Sequence, residues 1–220
     1  MQILVMSCDK NNDLWEPFHH CMEKYWPNHP EVVFSTETLV NPFYRTICKN
    51  VPFEKYSLRV YETVKELEDD YIIMMCDDLF FRKPVNVELI EKMKEMVVDD
   101  VAAFNFEPSF DYLDIPINDW VAIRSMKGAY KTSIMCQLWA KDKLLKVFEG
   151  LELDPWKFEI LNDFRGFTYL ILRNYDAVDW GRKFMGDKWG IYRGKWCKEC
   201  KAFLDKEGLQ IDYSKRGFYD

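Results

Sequence analysis

The densest chemical signal in the chain is YIIMMCDDLFF, Tyr71 to Phe81. Tyr71 to Cys76 is apolar on both faces, the pattern of a strand covered on both sides, and it ends abruptly in Asp77 and Asp78. Adjacent carboxylates repel, so the pair is costly unless water or a cation screens it. Hard oxygen ligands of this kind suit Mg²⁺ or Mn²⁺ bridging a diphosphate. An ordinary acidic turn after a strand is the competing reading. Ser7-Cys8-Asp9 closes an earlier apolar run, Ile3 to Met6, with the same kind of polar exit. The chain has no GxGxxG and no GxxxxGK[ST], which argues against a Rossmann dehydrogenase and a P-loop NTPase. A nucleotide would have to be held by a divalent metal and basic side chains instead.

Two further segments carry reactive groups. In DPWKFE, Glu159 lies in the first turns of a helix, with Asp163 four residues on and on the same face. A solvated surface glutamate is the competing reading. In IYRGKW, Arg193 and Lys195 flank Gly194, so a flexible loop carrying two cations is expected, able to fold over phosphates or to be a plain basic turn. The 7 cysteines are an odd number, and buried free thiols in a reducing compartment explain them better than a disulfide framework. Cys197 and Cys200 form a single CxxC, whereas a structural zinc needs four ligands and the histidines lie far away in sequence.

The elements that must position these groups alternate. Strands are predicted at Ile3 to Met6, Glu31 to Ser35, Tyr71 to Cys76, Val101 to Phe106, Tyr130 to Met135 and Thr168 to Leu172. Helices are predicted at Leu14 to Tyr25, Lys55 to Leu67, Asn86 to Val97, Asp142 to Phe148, after the cap Asp154 with Pro155 first, and at Lys198 to Leu204. On the helix from Lys55 the inward stripe is Leu58, Tyr61, Val64 and Leu67. Pro42 to Pro52 reads as a turn-rich connection, and Glu107 to Asp119 as an irregular, acidic and aromatic one. Alternating β and α with buried strands predicts a three-layer α/β/α fold that binds ligands beyond the carboxyl ends of its strands.

At 220 residues one domain is expected over 1–208, with 209–220 as a tail. Basic residues number 30 and acidic ones 37, so the net charge is −7, which argues against nucleic acid or anionic lipid as a partner. With 48% hydrophobic and 16% aromatic residues the chain can bury a full core and is not disordered. The first apolar run is too short for a secretory leader, and no stretch approaches a membrane span, so a soluble, cytoplasmic protein is expected.

Together these segments resemble the GT-A fold of nucleotide-sugar glycosyltransferases: a first strand opening a nucleotide site, a buried strand ending in a DxD-like motif, then a half bearing a helical carboxylate. FEKYSLRVYETVKELEDDYIIMMCDDLFF, Phe53 to Phe81, is similar to small glycosyltransferases of surface-polysaccharide clusters and large DNA viruses, through Tyr56-Ser57-Leu58-Arg59 and Asp77-Asp78-Leu79-Phe80. QLWAKDKLLKVF and DPWKFE also resemble that group. The likeness spans roughly Met1 to Trp196.

The resemblance implies a GT-A, Rossmann-like three-layer α/β/α fold with a mostly parallel sheet. It implies a metal-dependent, hexosyltransferase-type enzyme that moves a sugar from a nucleotide-diphosphate donor, UDP by default, to a hydroxyl of a glycan acceptor. Asp78 would bind Mn²⁺ or Mg²⁺, with Asp77 beside it on the metal's water shell, the ribose or the donor sugar. Ser7 and Asp9 would line the nucleoside pocket, and Arg59 would lie near the donor phosphates. Lys195 and Arg193 would neutralise the leaving diphosphate. Glu159 would be the general base of an inverting transfer. A strict DxD would carry Asp at position 76, where this chain has Cys76. Trp120, Trp139, Trp156 and Trp180 could stack on sugar rings, but core roles are the commoner use. Two alternatives stand beside the transferase: a sugar-phosphate nucleotidylyltransferase, weakened by the absence of glycines after the first strand, and a non-catalytic carbohydrate- or partner-binding module of the same fold.

Overall fold

The computed structural model describes residues 1–108, 112–127, 133–161, 165–173 and 190–219. Asp163, Trp180 and the first half of the Tyr130 to Met135 strand lie outside the described residues. The chain divides into two compact units, the first of Met1–Asp9, Pro30–Cys76 and Asn86–Ala177, the second of Lys10–His29, Asp77–Val85 and Val178–Asp220.

The first unit is built on β1 (Gln2–Met6), β2 (Val32–Thr36), β3 (Arg45–Cys48), β4 (Tyr71–Cys76), β5 (Val101–Pro108), β6 (Ile115–Pro116), β7 (Val121–Ile123), β8 (Gln137–Ala140) and β9 (Thr168–Leu172). These form one nine-stranded sheet in the order β3-β2-β1-β4-β8-β5-β9-β7-β6. Only β7 and β8 run against the others, so the sheet is mostly parallel. β1 and β4 read as continuous apolar runs because residues on both faces are buried: Leu4, Met6, Ile72 and Met74 on one, Ile3, Val5, Ile73 and Met75 on the other. Leu4, Met6, Ile72 and Met74 pack with residues of the helices α2 (Tyr56–Val64), α4 (Lys141–Phe148) and α5 (Pro155–Leu161). Phe148 of α4 stacks on Phe158 of α5 at 4.3 Å between ring centres. A further helix of the unit, α3 (Val87–Glu95), is capped by Asn86, whose Oδ1 accepts from the Leu89 amide at 3.0 Å, and it buries Ile90 and Met93. This is the expected α/β class with a mostly parallel central sheet.

Four local expectations change. Of the strand placed at Tyr130 to Met135, the described residues 133–135 are not in a strand: Ile134 and Met135 give their amides to the side chains of Glu159 and Ser133, and a strand follows at Gln137–Ala140. The connection Pro42 to Pro52 contains the edge strand β3, whose one buried residue, Ile47, is too little for a readable period. Cys48 at its end is exposed, not buried. The stripe of α2 is rotated: Tyr56, Ser57, Arg59, Val60, Thr63 and Val64 are buried, while Leu58 and Tyr61 are half-buried.

The second unit holds α1 (Trp15–Tyr25), the hairpin β10 (Ile191–Tyr192) and β11 (Lys195–Trp196), and α6 (Lys198–Lys206). Phe80 stacks on Trp196 at 6.0 Å, and Trp26 meets Phe81 edge-on at 6.1 Å. Gly190 is required here: a Cβ would come within 2.5 Å of the Phe80 ring. Residues beyond Gly208 fold back within this unit, with Trp196 bridging Phe218 and the Tyr219 amide donating to the Trp196 carbonyl at 2.9 Å.

Candidate functional site

In the first unit the polar groups gather at the exits of β1 and β2. Ser7 is buried, and its amide donates to the Ser35 carbonyl at 3.0 Å, continuing the β1–β2 ladder by one step. Its carbonyl accepts from Arg59 Nη2 at 2.6 Å. Arg59, 1% exposed, sets Nη1 2.5 Å from Glu37 Oε1. The guanidinium thus ties the exits of both strands to α2, because a buried cation must be matched by a counter-charge and acceptors. Asp9 is committed as well. Its carboxylate accepts from the Thr38 hydroxyl at 2.5 Å, the Thr38 amide at 3.1 Å and the Leu39 amide at 3.0 Å, while its own amide donates to Glu37 at 2.6 Å. Partial burial pushes the Asp9 carboxyl up, but these donors outweigh it and hold it below the usual carboxylate range. Asp9 therefore shapes the turn after β2, and Arg59 lies beneath the exits.

Glu159 is brought to the far end of β4 by tertiary structure alone. Asp154 caps α5, its Oδ1 accepting from the Lys157 amide at 2.9 Å. One turn on, Glu159 Oε1 accepts from the Ser133 hydroxyl at 3.2 Å and the Ile134 amide at 3.0 Å, while Cys76 Sγ donates to the Ile134 carbonyl at 3.6 Å. The Ile134 peptide so links the last residue of β4 to the carboxylate of α5. Burial raises the Glu159 carboxyl above its ordinary range, against the two hydrogen bonds and the positive charge of Arg124. Tyr56 lies in the same neighbourhood. Its hydroxyl is buried without a hydrogen-bond partner among the described residues. Its pKa is driven well up, by burial first and then by the charges of Cys76 and Glu159, against Arg59.

The second unit holds the two aspartates. Asp77 is buried and accepts from Asn11 Nδ2 at 3.1 Å. Asp78 is half-buried; loss of solvent pushes its carboxyl up to about 6, against its own backbone amide and the charge of Arg216. Arg193 and Lys195 are exposed on the β10–β11 turn. This is a tight two-residue turn rather than a flexible loop: Arg193 and Gly194 take φ of +51° and +79°, the pair of left-handed conformations such a hairpin needs. Among the described residues neither cation forms an ion pair. Cys197 and Cys200 are buried free thiols, and burial, with Cys197 and Cys21 beside it, raises the Cys200 thiol.

Among the described residues no three His, Cys, Asp or Glu side chains gather in a metal-holding arrangement. Two carboxylates completed by phosphate oxygens and water still match the way Mg²⁺ is commonly held. The partly desolvated Asp78 has the charge that such an ion would neutralise. Of the tryptophans, Trp139 is buried edge-on to Tyr169 and Trp120 stacks on Phe104 at 6.0 Å. Trp156, 61% exposed on α5, meets Phe53 edge-on at 5.3 Å. Sequence reasoning gave no role to Glu37, Tyr56, Asn11 or Arg216; the only available signal was that Glu37 and Asn11 lie just past the predicted β2 and β1.

No family model matches the chain, and no curated protein sequence matches it. Solved structures do. S. aureus TarS 1-349 aligns over 80% of this chain and 59% of its own, at 10% identity and a TM-score of 0.53. The complex of TarS 1-349 with UDP aligns over 79% and 58%, at 8% identity and 0.50. The bifunctional IspDF from Campylobacter jejuni aligns over 85% and 54%, at 9% identity and 0.48. The chain spans a little over half the length of each. Likeness to TarS at this identity identifies the fold, which is the α/β, GT-A-like architecture. No helix among the described residues is long and apolar enough to cross a membrane.

Proposed function

We propose that the chain transfers a sugar from a nucleotide-diphosphate donor to a hydroxyl of a glycan acceptor. The observation that carries this reading is the anchoring of Glu159. One of its oxygens is held by Ser133 and Ile134, and the same peptide binds Cys76, the residue before the Asp77–Asp78 pair. A carboxylate fixed through one oxygen and raised by burial suits a general base. Its other oxygen would take the acceptor hydroxyl's proton as the hydroxyl oxygen attacks the anomeric carbon and the bond to the diphosphate breaks, with inversion. Asp78 and Asp77 would hold Mn²⁺ or Mg²⁺, which when bound supplies Lewis-acid stabilisation of the leaving diphosphate. Ser7 and the Asp9 turn would line the nucleoside pocket, with Arg59 as a positioning residue beneath them. Arg193 and Lys195 would meet the charge of the diphosphate, and Trp156 offers a face to an acceptor sugar. The TarS complex makes UDP the first nucleotide to test.

The test is a thermal-shift panel of UDP, GDP, dTDP and CMP, each with Mn²⁺, Mg²⁺ or EDTA. A ligand at a hundred times its Kd stabilises by about 2.7 kcal/mol, roughly 5–10 °C for a domain of this size. One nucleotide should give such a shift, and EDTA or Asp78→Ala should remove it while the circular dichroism spectrum stays unchanged. No shift with any nucleotide overturns the transferase reading.

A further inference from the structure

We propose that Arg216 and Asn11 form a positioning relay for Asp77. This rests on the reading of Asp77 as a carboxylate of the metal site. Asn11 Oδ1 accepts from Arg216 Nη2 at 2.9 Å, and its Nδ2 donates to Asp77 Oδ1 at 3.1 Å. An amide has one acceptor end and one donor end. Because Arg216 can only donate, it turns the donor end of Asn11 towards Asp77. With that amide reversed, two oxygens would face each other across the Asn11–Asp77 contact and two donors across the other.

Arg216 is itself held firmly. Its Nε and Nη2 fork Asp13 at 2.6 and 2.7 Å, and Nη2 also reaches the Lys10 carbonyl at 3.2 Å. Its side chain is 9% exposed and that of Asp13 13%. Lys215 adds bonds to Asn12 at 2.6 Å and Asp13 at 3.1 Å, so two consecutive cations grip the segment from Lys10 to Asp13. The backbone around them is fixed too: the Gly217 carbonyl accepts from the Trp196 amide at 3.0 Å, and the Gly217 amide donates to Tyr213 at 2.9 Å. The Asp13 carboxylate pairs with the guanidinium. Through Asn11, Arg216 acts on Asp77 by orientation, with a fork that lysine cannot reproduce. The segment after Gly208 is thus where the orientation of Asp77 begins.

The experiment measures Mn²⁺ affinity in the presence of UDP, by electron paramagnetic resonance of free Mn²⁺, for the wild-type chain, Asn11→Ala, Arg216→Lys and the double variant. Unfolding midpoints are recorded alongside. Partners that orient metal ligands are worth about 10–100-fold in metal affinity. Each single variant should weaken Mn²⁺ binding about tenfold. The double variant should lose little more than either single one, because both break the same chain of bonds. Arg216→Lys keeps the charge and guards against loss of folding. Wild-type binding with unchanged affinity in both single variants overturns the relay alone, as does a midpoint shift without an affinity change. Absence of Mn²⁺ binding by the wild-type chain overturns the metal-site reading and the relay with it.

Discussion

Arg59→Met is the sharpest probe of how the strand exits are held. The side chain is 1% exposed and serves two acceptors, the Ser7 carbonyl at 2.6 Å and Glu37 at 2.5 Å. Methionine keeps much of the volume, so the cost is polar rather than a cavity. A buried carbonyl left unsatisfied costs about 1–3 kcal/mol. Breaking a buried ion pair from one side costs about 3–5 kcal/mol in all. Glu37 is 19% exposed and keeps its bond from the Asp9 amide, so water recovers part of its solvation and the lower end applies. The expected loss is about 3 kcal/mol, a fall of roughly 6–12 °C in midpoint. Urea unfolding followed by tryptophan fluorescence measures it. Adding Glu37→Gln should restore roughly 1–2 kcal/mol, since the stranded charge is then gone. A single-variant loss below about 1 kcal/mol, or a double variant that loses the sum of the two single ones, refutes the claim that the pair is buried and mutually dependent.

Glu159→Gln should lower turnover about 10²–10⁴-fold while leaving UDP affinity within a factor of about two; near-wild-type turnover removes Glu159 from the chemistry. Because burial raises this carboxyl, the base is lost on acidification at a higher pH than for an ordinary glutamate, so the acid limb of the kcat/KM profile should lie above the ordinary glutamate value and vanish in the variant. A limb at or below that value contradicts the assignment. Gly190→Ala places a methyl 2.5 Å from the Phe80 ring and 3.2 Å from Cys200 Sγ, and calorimetry should show a loss of about 1–3 kcal/mol. An unchanged midpoint would mean that this packing yields freely.

Much of the fold was legible because its signals are local. The apolar run Tyr71–Cys76 needs no partner to identify it as a covered strand, and it matches β4 residue for residue. The caps Asn86 and Asp154 announce their helices through side-chain bonds three residues ahead. β3 was not legible, because a four-residue edge strand with one buried side chain has no period to read. The rotated face of α2 was hidden too: Leu58 and Tyr61 outrank Arg59 and Thr63 in hydrophobicity. Yet Arg59 is buried by its two acceptors, and Thr63 by a 2.8 Å bond to Ser35.

The sequence by itself determined which residues have chemistry to offer: the Asp77–Asp78 pair, the polar exit at Ser7 and Asp9, and the carboxylate of Glu159. It did so because residue type and short-range spacing are enough to show paired charge after a buried run. Only the tertiary structure decided how these groups are used. Asp9 is spent on the Thr38 turn, Arg59 is spent on Ser7 and Glu37, Glu159 is tied through Ile134 to the end of β4, and Asp77 is held by Asn11. Each of these bonds joins residues far apart in the chain, from 22 positions for Arg59–Glu37 to 66 for Asn11–Asp77. A buried charge or amide takes whichever partner folding places beside it, and the order of residues along the chain does not encode that partner locally.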